Sequence, residues 1–218
     1  MPRKKYNLFL FDLDGTLLDT APEFYQSLNK LLKSHGLKNK NFTQIRSKVS
    51  DGVNALIEMA FNISEAEDGF LNLRESMLET YKKVSLNSKL FPNVAKVLDA
   101  LAKQNISWGI VTNKPKEFTL PIFENFGWEN KTEILVCPDD VNNLRKPDPS
   151  SLDFAINLSK FSKEKCIYVG DNWRDIEAAN NSGIDSILVS YGYMTSEELI
   201  KIKPTYKIDD SIEILKFI

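Results

Sequence analysis

The stretch Asn7-Leu8-Phe9-Leu10-Phe11-Asp12-Leu13-Asp14-Gly15-Thr16 sets the tightest limit on what this chain can fold into. Four large apolar residues run without a polar break into a carboxylate. A short run of that kind, apolar on both faces, reads as a strand buried in a parallel sheet. Ligands of doubly wound sheets bind outside the carboxyl ends of the strands, so two aspartates placed there line a site. A bare Asp-x-Asp followed by Gly and Thr is also an ordinary turn. The rest of the chain decides between the two.

The sequence after Asp14 does not continue as an ordinary βαβ unit. Thr20-Ala21-Pro22-Glu23 predicts a capping box, Phe24, Leu28, Leu31 and Leu32 share one helical face, and Gly36 stops the helix. A short piece from Thr43 to Val49 is broken at Ser50-Asp51-Gly52, and Val53, Leu56, Ile57, Ala60 and Phe61 make a second stripe. Ser64-Glu65-Ala66-Glu67 reads as another capping box, opening a helix with Phe70, Leu73, Met77, Tyr81 and Val84 on one face. The next strand, Ser107 to Val111, begins far later than the roughly 30 residues of a whole βαβ unit allow. Only Pro92 with Val94, Val97, Leu98 and Leu101 looks like the expected crossover helix. Residues 18–87 are therefore read as an all-helical insertion standing over the carboxyl end of the first strand. Residues 1–17 and 88–218 form the core domain.

From Ser107 the pattern alternates. A helix with Phe118, Ile122, Phe123 and Phe126 ends at Gly127, and Glu133 to Cys137 reads as a strand. Ser150 or Ser151 caps a helix with Leu152, Ala155 and Ile156. Cys166 to Val169 is the next strand, Asp175 to Ser182 a helix closed by Gly183, and Ser186 to Val189 a fifth strand. Repeated units of this kind predict an α/β fold, a doubly wound parallel sheet with helices on both faces.

Composition narrows the chemistry. Hydrophobic residues at 42% and charged residues at 27% are those of an ordinary soluble globule, and a net charge of -2 gives no electrostatic case for nucleic acid as partner. The basic cluster Arg3-Lys4-Lys5 precedes an apolar run too short for a signal peptide or membrane span, so no membrane partner is expected. Cys137 and Cys166 lack CxxC spacing and a neighbouring histidine; buried free thiols in a cytoplasmic enzyme fit them. The one histidine, His35, stands where an imidazole meets the last carbonyls of a helix. Serine triads and zinc sites have almost no material here. Chemistry must run on carboxylates, lysines and hydroxyls.

Polar residues stand at four strand ends: Asp12 and Asp14, then Thr112 and Asn113, then Lys146, then Asp171. The strings that carry them, FDLDGTLLDT, VTNK, RKPDP and VGDNWRD, resemble in order and context the four motifs of the haloacid dehalogenase-like (HAD) phosphohydrolase superfamily. The resemblance implies a HAD-like Rossmannoid core and makes Asp12 the nucleophile and Asp14 the general acid and base. Phosphoryl transfer needs an in-line nucleophile, cations on the equatorial oxygens and a proton for the leaving oxygen. Asp12 and Asp171 supply carboxylates for Mg²⁺, a hard ion that takes few protein ligands, and family resemblance adds the backbone carbonyl of Asp14. Lys146 contributes a point charge, and Thr112 a hydroxyl donor, toward the phosphate; Asn113 stands beside them as a substrate-binding residue. Asp175 has two readings, as an acid favoured by the helix N-terminus or as a neighbour of Lys146 and the metal.

Asp14 does most to choose among the superfamily's reactions. In dehalogenases of the family the second Asp is absent, and the P-type pump version of the motif has Lys at its second position, so the string here points to a phosphate ester. The insertion resembles the C1 cap of phosphoglycolate phosphatase-like members. Arg46 and the Ser50-Asp51-Gly52 turn fall where relatives carry a glycine-rich specificity loop, so Arg46 is a substrate-binding candidate as well as an ordinary solvated helix residue. Tyr191-Gly192-Tyr193 resembles the family's tail and also reads as a plain turn.

The resulting expectation is a Mg²⁺-dependent phosphatase of a small phosphomonoester, phosphoglycolate first. The alternatives are a β-phosphoglucomutase-like sugar phosphomutase, another HAD phosphatase acting on a nucleotide, sugar phosphate or pyrophosphate, and a non-catalytic regulator. The sequence leaves oligomeric state open.

Overall fold

The computed structural model describes residues 5–218, so the first two residues of the Arg3-Lys4-Lys5 cluster lie outside the described chain. Its elements are β1 (Leu8–Phe11), β2 (Leu18–Asp19), α1 (Ala21–Ser34), α2 (Phe42–Arg46), α3 (Gly52–Phe61), α4 (Phe70–Lys82), β3 (Lys89–Leu90), α5 (Val94–Lys103), β4 (Ser107–Val111), α6 (Lys116–Asn125), β5 (Leu135–Val136), α7 (Ser150–Ser159), β6 (Cys166–Gly170), α8 (Trp173–Ser182), β7 (Asp185–Val189), α9 (Ser196–Lys201) and β8 (Tyr206–Ile208). They fall into two compact units: the described chain up to Leu18 together with Leu90–Ile218, and Asp19–Lys89. No helix among the described residues is long and apolar enough to cross a membrane.

The first unit is built on a six-stranded sheet in the order β5-β4-β1-β6-β7-β8, parallel throughout. Phe9 and Phe11 of β1 enter one hydrophobic cluster with Trp108, Ile110 and Val169, while Leu8 and Leu10 enter another with Val111, Tyr168 and Leu152. Both faces are covered, which is why the run is unbroken in sequence. Each such side chain, fully buried, stabilises the fold by roughly 1.5–3 kcal/mol. β1 lies between β4 and β6, with Phe11 level with Ile110 and Val169. The chain order therefore reverses at β1, and Asp12, Thr112 and Asp171 emerge along one carboxyl edge at this switch point.

Three local expectations are corrected in this unit. The strand over Glu133–Cys137 shrinks to Leu135–Val136, because Pro138 opens a 3-10 turn in which the Asp140 carboxylate accepts from the Cys137 N–H at 3.0 Å. Neither Ser150 nor Ser151 caps α7; Asp148 does the equivalent task, its Oδ1 accepting from the Ser150 N–H at 2.9 Å. A sixth strand, β8, continues the sheet beyond β7. Its three residues are too few to show a period.

The second unit is helical, with Phe24, Leu28, Leu32, Leu56, Met77 and Tyr81 buried and the Phe24 and Tyr81 rings stacked at 4.2 Å. Thr20 makes no side-chain cap bond to α1, its backbone being helical (φ −100°, ψ −3°) and not extended, and buried Glu23 accepts from the Ser88 hydroxyl at 3.0 Å instead of reaching back. The Ser64–Glu67 pair does form, Glu67 Oε1 accepting from the Ser64 N–H at 2.7 Å. It closes a turn and not a helix start, since α4 begins at Phe70 after Gly69. A capping box that sequence reading passed over, Asn41 with Gln44, opens α2. His35 ends α1 as expected, with Nδ1 3.0 Å from the Leu31 carbonyl.

Candidate active site

β1 delivers Asp12 to the sheet edge, its N–H donating to the Val169 carbonyl at 2.9 Å. Lys146 meets it there. The Lys146 ammonium donates to Asp12 Oδ1 at 2.6 Å, to Tyr168 Oη at 2.6 Å and to Asp175 Oδ1 at 2.7 Å, with the Val111 carbonyl at 3.2 Å. Three N–H groups facing four oxygens fix the direction of the charge as well as its presence. Burial opposes the charge on Lys146, but Asp12 and Asp175 outweigh it and raise its pKa, so the ammonium stays protonated.

The backbone of Lys146 is positioned by Asn113. Its Oδ1 accepts from the Lys146 N–H at 2.8 Å and its Nδ2 donates to the Lys146 carbonyl at 3.1 Å. The side chain is thereby engaged in holding Lys146. Asp175 serves Lys146 and the helix N-terminus at once. One oxygen faces Lys146, and the other accepts from the Asn172 N–H at 2.9 Å to complete the capping box of α8.

Asp171 follows β6 and is 1% exposed. Its Oδ2 accepts from the Tyr193 N–H at 2.7 Å, while its Oδ1 is buried with no hydrogen-bond partner among the described residues. Side-chain oxygens of Asp12, Asp171 and Asp175 lie within 4.8 Å of one another. Burial raises the pKa of Asp171 well above the carboxylate range, with Asp175 and Asp12 adding to it. Burial likewise pushes Asp12 up to about 7, against the pull of Lys146. An orphaned carboxylate oxygen beside two crowded carboxylates is a donor set that could hold a hard divalent cation. Asp12 and Asp171 are the better placed of the three to serve one, because both oxygens of Asp175 already have partners.

Asp14 turns the other way. Its carboxylate lies against the Lys114 ammonium, with Oδ1 at 3.1 Å and Oδ2 at 3.3 Å. The Lys114 N–H donates to Thr112 Oγ1 at 3.2 Å, so the hydroxyl expected to meet a phosphate also shapes the loop that carries Lys114. The profile of the haloacid dehalogenase-like hydrolase family matches residues 9–189, a span that holds Asp12, Asp14, Thr112, Lys146 and Asp171. The chain belongs to that family.

This HAD-like hydrolase is 40% identical over 190 residues to N-acetylmuramic acid 6-phosphate phosphatase of Pseudomonas putida, covering 87% of this chain and 85% of the relative. It is 32% identical over 224 residues to phosphoglycolate phosphatase of Colwellia psychrerythraea, covering 99% and 98%. A crystal structure of a predicted phosphoglycolate phosphatase from Haemophilus somnus superposes with a TM-score of 0.86 at 27% identity, covering 97% of each chain.

Other features of the HAD-like hydrolase were less visible in sequence. Tyr168 was hidden by its strand, where an aromatic residue reads as core. Lys114 stood in the VTNK string without a role. Tyr191-Gly192-Tyr193 is more than a turn, since Tyr191 Oη donates to the Thr16 carbonyl at 3.1 Å and Tyr193 holds Asp171. Arg46 is the last residue of α2 in the helical unit. In the same unit Ser50 and Asp51 belong to a 3-10 turn over Val49–Asp51, and Gly52, at φ +89°, leads into α3.

Proposed function

We propose that this HAD-like hydrolase is a Mg²⁺-dependent phosphatase of small phosphomonoesters that works through an aspartyl phosphate on Asp12. The observation that carries the reading is Asp12 held 2.6 Å from the buried Lys146 ammonium, beside the partnerless Oδ1 of Asp171. In the first step an Asp12 oxygen bonds to phosphorus as the ester P–O bond breaks, and Asp14 gives its proton to the departing alkoxide. In the second a water attacks the phosphoryl group, Asp14 takes its proton, and Asp12 is restored as phosphate leaves. Lys146 and the Thr112 hydroxyl meet the charge on the phosphoryl oxygens, and Asn113 keeps Lys146 in place. Asp12, Asp171 and the Asp14 carbonyl would hold Mg²⁺, which when bound supplies positive charge to the transferring phosphoryl group.

Phosphoglycolate is the first substrate candidate, in line with the relatives bearing that name. N-acetylmuramic acid 6-phosphate is the second, favoured by the relative at 40% identity. The helical unit Asp19–Lys89 occupies the sequence position of a C1 cap, and we assign it that role, with Arg46 as a substrate contact. The relatives named above are phosphatases, which favours this reading over a phosphomutase or a regulator. The two buried free thiols suit a cytoplasmic setting.

The test is phosphate release from a panel of phosphomonoesters with and without Mg²⁺, using the wild type and Asp12→Asn. Mg²⁺-dependent turnover that Asp12→Asn abolishes in a folded protein is expected. An active Asp12→Asn would overturn the mechanism.

A further inference from the structure

We propose that Tyr191 and Tyr193 are positioning residues that tie the Asp171 carboxylate to the loop carrying Asp14, so that a divalent cation at Asp171 also fixes that loop. This rests on the metal-dependent phosphatase reading above. The segment Tyr191-Gly192-Tyr193 follows β7 and meets both parts. The Tyr193 N–H donates to Asp171 Oδ2 at 2.7 Å, and a Cβ on Gly192 would stand 2.2 Å from the Asp171 Cβ. The Tyr191 hydroxyl donates to the Thr16 carbonyl at 3.1 Å, and the Tyr193 hydroxyl to the Leu18 carbonyl at 3.4 Å. Both bonds reach 175 residues back along the chain. A phenol ring suits that task, being long, rigid and polar only at its tip.

Thr16 and Leu18 belong to a turn closed on itself. The Leu17 and Leu18 N–H groups both donate to the Leu13 carbonyl, at 3.0 and 2.9 Å, and the Gly15 N–H donates to the Leu18 carbonyl at 2.9 Å. Asp14 lies inside this turn, so whatever holds Thr16 and Leu18 also holds Asp14. The Leu17 carbonyl carries the connection further, accepting from the Phe91 N–H at 3.0 Å. The Phe91 ring packs in turn on Tyr191 and Tyr193, with centroids 5.0 and 6.3 Å away. The circuit from Asp171 through the tyrosines to the turn and Phe91 is thereby complete. Leu18 ends the first segment of this unit and Leu90 begins the second, so the tyrosines brace the places where the chain leaves the unit and returns. The ion expected at Asp171 and the Asp14 carbonyl would bear on both parts that the tyrosines join. An opening that breaks a site becomes rarer by the factor 1 + [L]/Kd when its ligand is present, whereas an independent opening is unaffected.

The test is amide hydrogen exchange of the whole protein with and without Mg²⁺, read at Leu18 and Phe91, neither of which is a ligand. With Mg²⁺ at about 100 times its Kd, both amides of the wild type are expected to exchange about 100-fold more slowly. Tyr191→Phe keeps the ring against Phe91 and removes the bond to Thr16. Isothermal titration should find its Mg²⁺ affinity lowered about tenfold, the effect of loosening the support of a metal ligand. Brought to the same saturation, the variant should show less than about threefold slowing at Leu18 and Phe91, because their opening no longer breaks the site. Slowing that persists in Tyr191→Phe at the wild-type level overturns the proposal. If Tyr191→Phe fails to fold, Tyr193→Phe decides by the same readout, since its N–H still holds Asp171. A wild type that binds Mg²⁺ with no slowing at Leu18 or Phe91 removes this inference alone. No Mg²⁺ binding by titration removes the metal-dependent reading and this inference together.

Discussion

A Cβ on Gly192 would lie 2.2 Å from the Asp171 Cβ and 2.4 Å from its Oδ2. Gly15, at φ +93°, crowds the same carboxylate from the β1 loop, where an added Cβ would stand 2.4 Å from Oδ2. Two backbone segments without side chains thus cradle Asp171, and the Tyr193 N–H takes Oδ2 while Oδ1 has no hydrogen-bond partner among the described residues.

Gly192→Ala should therefore act through the metal. The methyl group pushes Asp171 off its position, and disturbing the support of a metal ligand costs about 10–100-fold in affinity. Isothermal titration with Mg²⁺ should report that loss while circular dichroism remains that of the wild type. Unchanged Mg²⁺ affinity would mean that the cradle does not orient Asp171.

Asp171→Asn should separate stability from metal binding. The folded pKa of Asp171 lies well above its unfolded value, mainly through burial. Without metal, the folded state then binds the extra proton, and this group's contribution to stability falls as pH rises through the interval between the two values. Above that interval the full penalty of a buried charge is present. Asparagine retains an acceptor for the Tyr193 N–H and removes the charge. At pH 8 without Mg²⁺ the variant is expected to melt a few degrees above the wild type, an effect of about 1–2 kcal/mol. The gap should narrow at pH 4, and the variant should gain no stability from added Mg²⁺.

Mg²⁺ binding itself should depend on pH. Asp12 is pushed up to about 7 by burial, and a metal takes the ionised carboxylate. Affinity should be level above pH 8 and fall below pH 7, by about tenfold per unit for each proton displaced. Titrations in buffers of different ionisation enthalpy should show proton release near pH 6.5. A flat affinity from pH 6 to 8 would contradict the shift.

Sequence gave a good view of the sheet and of the acids at its edge, because a strand buried on both faces has a signature that few alternatives share. Leu8–Phe11, Ser107–Val111 and Cys166–Gly170 were each legible, and so was the order of Asp12, Thr112, Lys146 and Asp171 along the chain. Interactions between distant residues were not. Nothing near Thr20 announces that Glu23 will bond to Ser88, 65 residues away, instead of closing a cap. Nothing near Asp14 names Lys114, 100 residues on, as its partner. Nothing near Asn113 announces its bonds to Lys146, which depend on a loop 33 residues later. Local pattern dictates local structure; who meets whom at the edge is decided by the register of the sheet.

Tyr168 gives the sharpest test of how Lys146 is aimed. Its hydroxyl donates to the Val111 carbonyl at 2.7 Å and accepts from Lys146 at 2.6 Å, so it links the ammonium to β4, on the far side of β1. Tyr168→Phe keeps the ring in the core and removes this link. Val111 retains Lys146 at 3.2 Å and Lys146 retains both carboxylates, so no group is stranded. The cost in stability should be about 1 kcal/mol, the net value of a buried hydrogen bond whose partners keep others. Catalysis should suffer more than binding. With one of its directing contacts gone, the ammonium samples positions away from the phosphoryl oxygens, and kcat should fall about tenfold with KM changed less than threefold. Lys146→Met, which removes the charge itself, should lower kcat by at least about a thousandfold. Equal losses in the two variants would mean that Tyr168 has a task of its own beyond directing Lys146.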